Sequence, residues 1–267
     1  MIVRTRRGAV GLDEAGSGEP FLLLHGFPHD RTLWAPQLSA PAPGVRYLAP
    51  DLPGFGESER HLETALEDWA DWLAALLDTL AIPRAIVGGL SMGGYLAFAF
   101  WRRHPQRVRA LVLADTKAGA DTEEGREKRR AMQELVRREG VGAVVGAMLP
   151  GMVGKTTRAA RPEVVSAVET MMLRASTAGV IDALEALLTR PDSTPTLGTI
   201  TVPTLVVCGE EDALTPVAES RAMHAAISGS SLGIIPGAGH VSNLEDPAGF
   251  NGLLSGFLTA TIRRTLP

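Results

Sequence analysis

One cysteine, Cys208, stands in this 267-residue chain, so no intrachain disulfide can form and cysteine gives no argument for an oxidising compartment. Cys208 closes the apolar run Leu205-Val206-Val207, where a buried strand thiol is expected. No stretch reaches the roughly 18 uninterrupted apolar residues that a membrane span needs. No apolar targeting core follows Arg4, Arg6 and Arg7 either, because residues 8–18 are mixed in character. A cytoplasmic protein with no membrane partner is the expectation. Charge of one sign is scarce too. The formal net charge is -4, so no basic field invites nucleic acid and no acidic tail suggests solvated disorder. Internal repeats and long low-complexity tracts are missing.

What is present is ordinary globular material. Hydrophobic residues make up 45% and charged residues 21%, in a chain long enough for one or two domains with a large core. Short apolar runs at 21–24, 45–49, 85–87, 108–114, 204–208 and 232–235 alternate with amphipathic stretches. The runs are continuous rather than alternating, which predicts a mostly parallel sheet covered by helices on both faces. Residues 2–13 are expected to add an antiparallel pair at one edge. Residues 66–80 predict a helix with Leu66, Trp69, Leu73, Leu76, Leu77 and Leu80 on one face, ended by Pro83. The nearly all-apolar stretch 95–101 predicts a buried helix.

Between residues 117 and 202 the rhythm changes to successive helical segments with no convincing strand. The first, 121–139, is densely charged but balanced, with six acidic and six basic residues between Asp121 and Gly140. It is expected to present a solvated face, with Met132, Leu135 and Val136 as its apolar stripe. Two more helical segments are expected at 162–173 and 180–188. A Pro-, Ser- and Thr-rich linker at 191–203 then leads back to a strand. The block reads as a helical insertion over the sheet.

The strongest local signal is Gly88-Gly89-Leu90-Ser91-Met92-Gly93-Gly94, between the strand at 85–87 and the helix at 95–101. A nucleophile at the top of a strand-to-helix turn sits in a strained backbone, and glycines two residues before and after it remove side chains that would clash. A P-loop is excluded because no lysine follows these glycines. A dinucleotide fingerprint fails because Leu90 and Ser91 stand where its second glycine belongs. A bare glycine-rich turn is the remaining alternative for this motif alone.

A serine hydroxyl needs a base. Of six histidines, His240 lies on a glycine-rich loop just after the last strand, where catalytic groups of open α/β sheets gather. His104 and His224 sit at or in helices and suit surface or capping roles; His29 and His61 fall in loops, with His61 expected to be exposed. The imidazole in turn needs an acid to fix its tautomer. Asp212 follows the strand at 204–208 and is the leading choice. Glu210, Glu211 and, more seriously, Asp115 at the end of the strand at 108–114 compete with it. A tetrahedral intermediate needs two N–H donors. Met92, the residue after the nucleophile, offers one and Phe27, in Leu24-His25-Gly26-Phe27-Pro28, the other. Gly26 permits a tight turn, Pro28 restricts Phe27 toward an extended backbone, and His25 is expected to hold this loop by hydrogen bonds. The loop from Asp51 to Ser58 is expected to be scaffolding.

Together these stretches resemble the α/β-hydrolase superfamily over nearly the whole chain. The resemblance rests on the His-Gly-Phe-Pro loop, the Asp51 to Ser58 loop, the elbow at Ser91, the acid turn from Gly209 to Pro216 and the Gly-His turn at His240. The chain order Ser91, Asp212, His240 is that of these hydrolases. The likeness is strongest to small bacterial carboxylesterases and 3-oxoadipate enol-lactonase-like hydrolases with a helical cap. It implies an α/β-hydrolase core from 1–116 and 203–267, with a cap at 117–202 that covers the nucleophile and shapes the pocket. It implies a serine hydrolase of small esters or lactones that uses no metal and no organic cofactor, as a monomer or homodimer. Haloalkane dehalogenases and epoxide hydrolases are set aside because their nucleophile is an aspartate. Cofactor-free haloperoxidases, perhydrolases and carbon–carbon bond hydrolases stay open, as does a ligand receptor that retains a triad. Met148, Leu149, Met152, Met171, Met172 and Leu173 are candidates for an adaptable apolar acyl pocket, with Trp34 at its border. Packing within the helices is their alternative role.

Overall fold

Strands buried on both faces need helices above and below them. A computed structural model describing residues 1–263 shows how this chain supplies them. The strands are β1 (Ile2–Thr5), β2 (Gly8–Gly16), β3 (Glu19–Leu24), β4 (Val45–Pro50), β5 (Ala85–Leu90), β6 (Val108–Ala114), β7 (Thr204–Gly209) and β8 (Ser231–Ile235). They form one sheet in the order β1-β2-β4-β3-β5-β6-β7-β8. The β1–β2 and β2–β4 pairs are antiparallel, and all the others are parallel. The register pairs Leu24 with Gly89, Leu90 with Ala114, Ala114 with Val207 and Gly209 with Ile235. The C-terminal ends of β3, β5, β6, β7 and β8 therefore lie side by side, and the loops that leave them open onto one edge.

The helices are α1 (Ala35–Leu38), α2 (Leu66–Thr79), α3 (Met92–Arg103), α4 (Glu123–Glu139), α5 (Val141–Met152), α6 (Lys155–Ala160), α7 (Pro162–Leu173), α8 (Thr177–Thr189), α9 (Thr194–Leu197), α10 (Val217–Ala226), α11 (Ser242–Glu245) and α12 (Pro247–Arg263). Alternate side chains of β3 show how the layers are divided. Leu22 and Leu24 pack with α2, α3 and α10 on one face, while Phe21 and Leu23 pack with Trp34, Phe250, Leu254 and Leu258 on the other. The α2 helix buries its expected leucine face and also Trp72, Ala74 and Ala75, because it packs against both α3 and β1. It ends at Thr79, one residue short of the expected end, and its C-cap Leu80 is only partly buried.

Between β6 and β7 come α4 to α9, with no strand among the described residues. These helices share both apolar cores: Val136, Val144, Val180 and Leu184 join one, and Val145, Met152, Val164 and Met171 join the other. No single described helix is long and apolar enough to cross a membrane; α7 and α8 pass such a test only as a pair bent by 95°. Cys208 is fully buried in β7, and burial pushes its thiol up to about 11.

Candidate active site

The backbone at the end of β5 sets the site. Ser91 has φ 55 and ψ -113 between β5 and α3, a strained conformation that costs about 1–3 kcal/mol and persists only when its surroundings impose it. The surroundings do so through close packing. A Cβ on Gly89 would overlap the Gly93 carbonyl, and one on Gly93 would overlap the Leu24 carbonyl. The Ser91 N–H donates to the Ala114 carbonyl (2.9 Å), and the Thr116 hydroxyl donates to the Ser91 carbonyl (2.8 Å). Ser91 is thus fastened to both ends of the β6 terminus, with its side chain presented at the sheet edge.

His240 reaches it from the loop after β8. Its Nε2 lies 2.8 Å from Ser91 Oγ, and its Nδ1 lies 2.8 Å from Asp212 Oδ2. Asp212 is further held by the N–H groups of Leu214 (2.8 Å) and Thr215 (2.9 Å) and by the Thr215 hydroxyl (2.7 Å). Burial alone would raise the Asp212 carboxyl, but the charge and hydrogen bond of His240, with the Thr215 bonds, bring it below the usual carboxylate range. Burial likewise opposes a charge on His240, yet the Asp212 charge and hydrogen bond outweigh it and raise its pKa above the ordinary histidine value. An ionised acid beside a basic imidazole is the arrangement a serine hydroxyl needs.

The competing acids face elsewhere. Asp115 has φ 44 and is fully buried. Its Oδ1 accepts from the Gly209 N–H (2.8 Å) and its Oδ2 from the Ser242 hydroxyl (2.6 Å), so it braces the two loops that carry Asp212 and His240. Burial and the nearby Asp212 charge push it up to about 8. Glu210 accepts from the Gly237 N–H, and Glu211 from the N–H and hydroxyl of Thr156. Among the other histidines, His104 pairs with Asp71 and His224 with Ser230. His61, expected to be exposed, is half-buried between Arg7 and Glu63, because those long side chains fold over it. His29 is buried with neither ring nitrogen bonded, and burial drives it down to about 3.

Phe27 and Met92 both border the same cavity as Ser91 and His240. Met92 is the first residue of α3, so the helix leaves its N–H unused. The Phe27–Pro28 peptide is cis, a feature the Phe-Pro spacing does not disclose. His25 bonds the Gly26 carbonyl through Nδ1 (2.9 Å) and accepts the Leu52 N–H at Nε2 (2.9 Å). It joins the Gly26 turn to the loop after β4. In that loop Asp51 is bound by Arg31 and by the Glu57 N–H, a scaffold rather than a reacting group.

The cavity measures about 350 Å³. Of the apolar candidates, Met148 and Met152 line it. Met171 and Met172 do not: they are buried between helices in the core, and Leu173 is turned out to solvent. Trp34 is also displaced from the expected position. It is buried under α12 with its ring 6.1 Å from Phe250, and it does not line the cavity. The charged helix α4 is solvated on one side only, since Gly125, Lys128, Arg129 and Met132 face the cavity. Their spacing of three, four and seven residues is that of one helical face. Sequence reasoning also passed over Tyr95, one turn after Ser91 on α3, and Lys117, just beyond the end of β6. The strand-end rule that singled out Asp212 and His240 applies equally to Lys117. Among the described residues, no group of three or more His, Cys, Asp or Glu side chains is placed to hold a metal.

A family model of the alpha/beta hydrolase fold matches residues 19–247. The chain is 38% identical to a thermophilic esterase from Thermogutta terrifontis, with a TM-score of 0.93 and 98% of each chain covered. It is 27% identical to the enol-lactonase from Burkholderia xenovorans LB400, at a TM-score of 0.88 over 97% of this chain and 100% of the other. Among curated proteins, it is 30% identical over 271 residues to a 2-hydroxy-6-oxo-2,4-heptadienoate hydrolase from Pseudomonas putida, covering 93% of this chain and 92% of that one.

Proposed function

The chain belongs to the α/β-hydrolase fold family, and from that premise we propose that it is a serine hydrolase cleaving small carboxylic esters through an acyl-enzyme. The observation that carries this reading is the unbroken line from Ser91 Oγ through His240 to Asp212, with both contacts at 2.8 Å, opening on the cavity. In this mechanism His240 Nε2 takes the hydroxyl proton as Ser91 Oγ attacks the substrate carbonyl carbon. The carbonyl electron pair moves to oxygen, where the Phe27 and Met92 N–H groups stabilise it. Collapse breaks the ester C–O bond, and the leaving alkoxide takes the proton from His240. Water then gives a proton to His240 while its oxygen attacks the acyl carbon. Ser91 Oγ leaves, recovers that proton, and the acid product is released.

A lactone follows the same steps, except that the leaving oxygen stays tethered to the acyl group. The likeness to an enol-lactonase favours this as the second reading. Residues 117–202 act as the cap in both, and 1–116 with 203–267 as the catalytic core. The test is a panel of p-nitrophenyl esters of increasing acyl length beside simple lactones. Multiple turnovers on short esters that vanish in Ser91→Ala support the esterase. Turnover restricted to lactones selects the second reading, and tight binding with at most one turnover selects a receptor instead.

A further inference from the structure

The cavity beside Ser91 is not electrically neutral. Lys117, Asp121, Lys128 and Arg129 border it. The only carboxylate of these, Asp121, is engaged twice: it takes Arg129 and also the Arg190 Nη2 at 2.8 Å. Arg190 is itself buried, lying 4.1 Å over the Tyr95 ring and bonding the Gly119 carbonyl. One carboxylate thus serves two guanidiniums. Lys128 leans out to Glu124 at 2.6 Å, where both side chains are about three-quarters exposed. Lys117 differs from all of these: half-buried at the end of β6, it forms no hydrogen bond or ion pair among the described residues. Lys117 and Arg129 against Asp121 leave this wall one positive charge in excess, and the buried Arg190 behind it adds a second.

An ammonium at a cavity wall with no carboxylate of the protein beside it leaves a charge that a bound anion can pair through a charge-assisted hydrogen bond. Lys117 is also well placed to be a fixed recognition point. Its neighbour Thr116 is tied through its hydroxyl to the Ser91 carbonyl, so the lysine backbone keeps a constant relation to the nucleophile. Its ammonium is a compact charge on a flexible stem, with three donors that a carboxylate can accept. We infer that the preferred substrate is a small ester or lactone that itself bears a carboxylate, and that Lys117 is the residue selecting it. This rests on the hydrolase reading of the same cavity.

The test compares monomethyl with dimethyl glutarate, which share a scissile bond and differ in one charge. The wild-type kcat/KM favours the half-ester by about tenfold or more, the range for a partly buried charge pair. In Lys117→Met this ratio falls toward one, and Lys117→Arg restores much of it. A ratio cancels differences in the folded fraction, so poor folding of one variant does not obscure the result. A wild-type preference for the diester, or a ratio unchanged in Lys117→Met, overturns the inference. Calorimetric titration with glutarate reads the same site without turnover. Binding that weakens about tenfold in Lys117→Met supports the anion site even if no ester is cleaved, while wild-type binding equal to that of Lys117→Met counts against it. Hydrolysis of p-nitrophenyl butyrate, lost in Ser91→Ala, tests the hydrolase reading separately.

Discussion

His240 is held between two opposed influences, and the balance sets the pH behaviour to expect. Burial disfavours its charged form, while the charge and hydrogen bond of Asp212 favour it and prevail, so its pKa lies above the ordinary histidine value. A general base must be neutral to accept the Ser91 proton. The kcat/KM profile should therefore fall on the acid side, with a midpoint above the ordinary value of 6.5. Asp212→Asn removes the opposing charge, so that midpoint should move down. It also releases the tautomer that Asp212 holds, at a cost of about 10⁴ in kcat. A variant with near-normal kcat would remove Asp212 from the acid role. Ser91→Ala and His240→Ala should each lose about four orders of magnitude or more. Stability runs the other way: a histidine whose pKa is raised on folding contributes fully below its unfolded value, and that contribution is lost as pH rises through the folded one. The pH rise that frees the base thus loosens the fold slightly. The three side chains put forward by sequence do meet at hydrogen-bond distance. Sequence put Asp212 ahead of Asp115, Glu210 and Glu211, but all four follow a strand end, and it is side-chain direction in the structure that turns Asp212 to His240 and the others elsewhere.

At the level of elements, two buried carboxyls tie the segment after β8 to its neighbours, Asp115 to the end of β7 and Glu245 to the turn between α5 and α6. Asp115 accepts from Gly209, the last residue of β7, and from Ser242, the first of α11. Glu245 accepts the Gly154 and Gly239 N–H groups, each at 2.9 Å. Glu245→Ala would leave these two N–H groups buried and unpaired, costing about 1–3 kcal/mol for each; chemical denaturation checks this, and a loss below the lower bound would count against a bracing role. Asp115 should show itself through pH. Its pKa is raised to about 8, mainly by burial and then by the Asp212 charge. The folded protein therefore keeps a proton that the unfolded chain releases above the ordinary Asp value of 3.8. Its contribution is largest at low pH and declines as pH rises toward 8. Melting of the wild type relative to Asp115→Asn should fall between pH 4 and pH 8, and a constant difference would contradict the shift. The strands were legible because buried parallel strands are continuous apolar runs, which lie where expected. The methionines were not separable, since a helical pattern marks an apolar face without saying whether a cavity or another helix lies against it. Met148 and Met152 face the cavity on α5, whereas Met171 and Met172 face neighbouring helices from α7.

For the whole molecule, the question is how α4 to α9 are seated on the sheet edge. Three of the contacts that hold them differ in kind. The Arg174 guanidinium, just beyond α7, bonds Asp30 (2.8 and 3.0 Å) and Thr32 (2.6 Å), just after the Phe27–Pro28 turn. Gly179, in the first turn of α8, comes so near Gly54 that a Cβ there would overlap the Gly54 carbonyl. The His240 N–H donates to the Met152 carbonyl at the end of α5 (3.1 Å). Sequence placed a helical block over the sheet but could not find these seats, which join residues 88 to 144 positions apart with no common motif. They differ in kind, and so should the effects of breaking them. Arg174 is about half exposed (47%), so Arg174→Ala should cost under about 1 kcal/mol. Gly179→Ala forces backbone apart at a packed junction and should cost about 1–3 kcal/mol. If 117–202 closes over Ser91 as proposed, displacing α8 loosens the substrate pocket while the triad stays joined to the sheet. KM for p-nitrophenyl esters should then rise more in Gly179→Ala than kcat falls. Thermal melting of both variants, with their steady-state kinetics, checks the ordering. A drop confined to kcat in Gly179→Ala would mean that α8 supports the triad rather than the pocket.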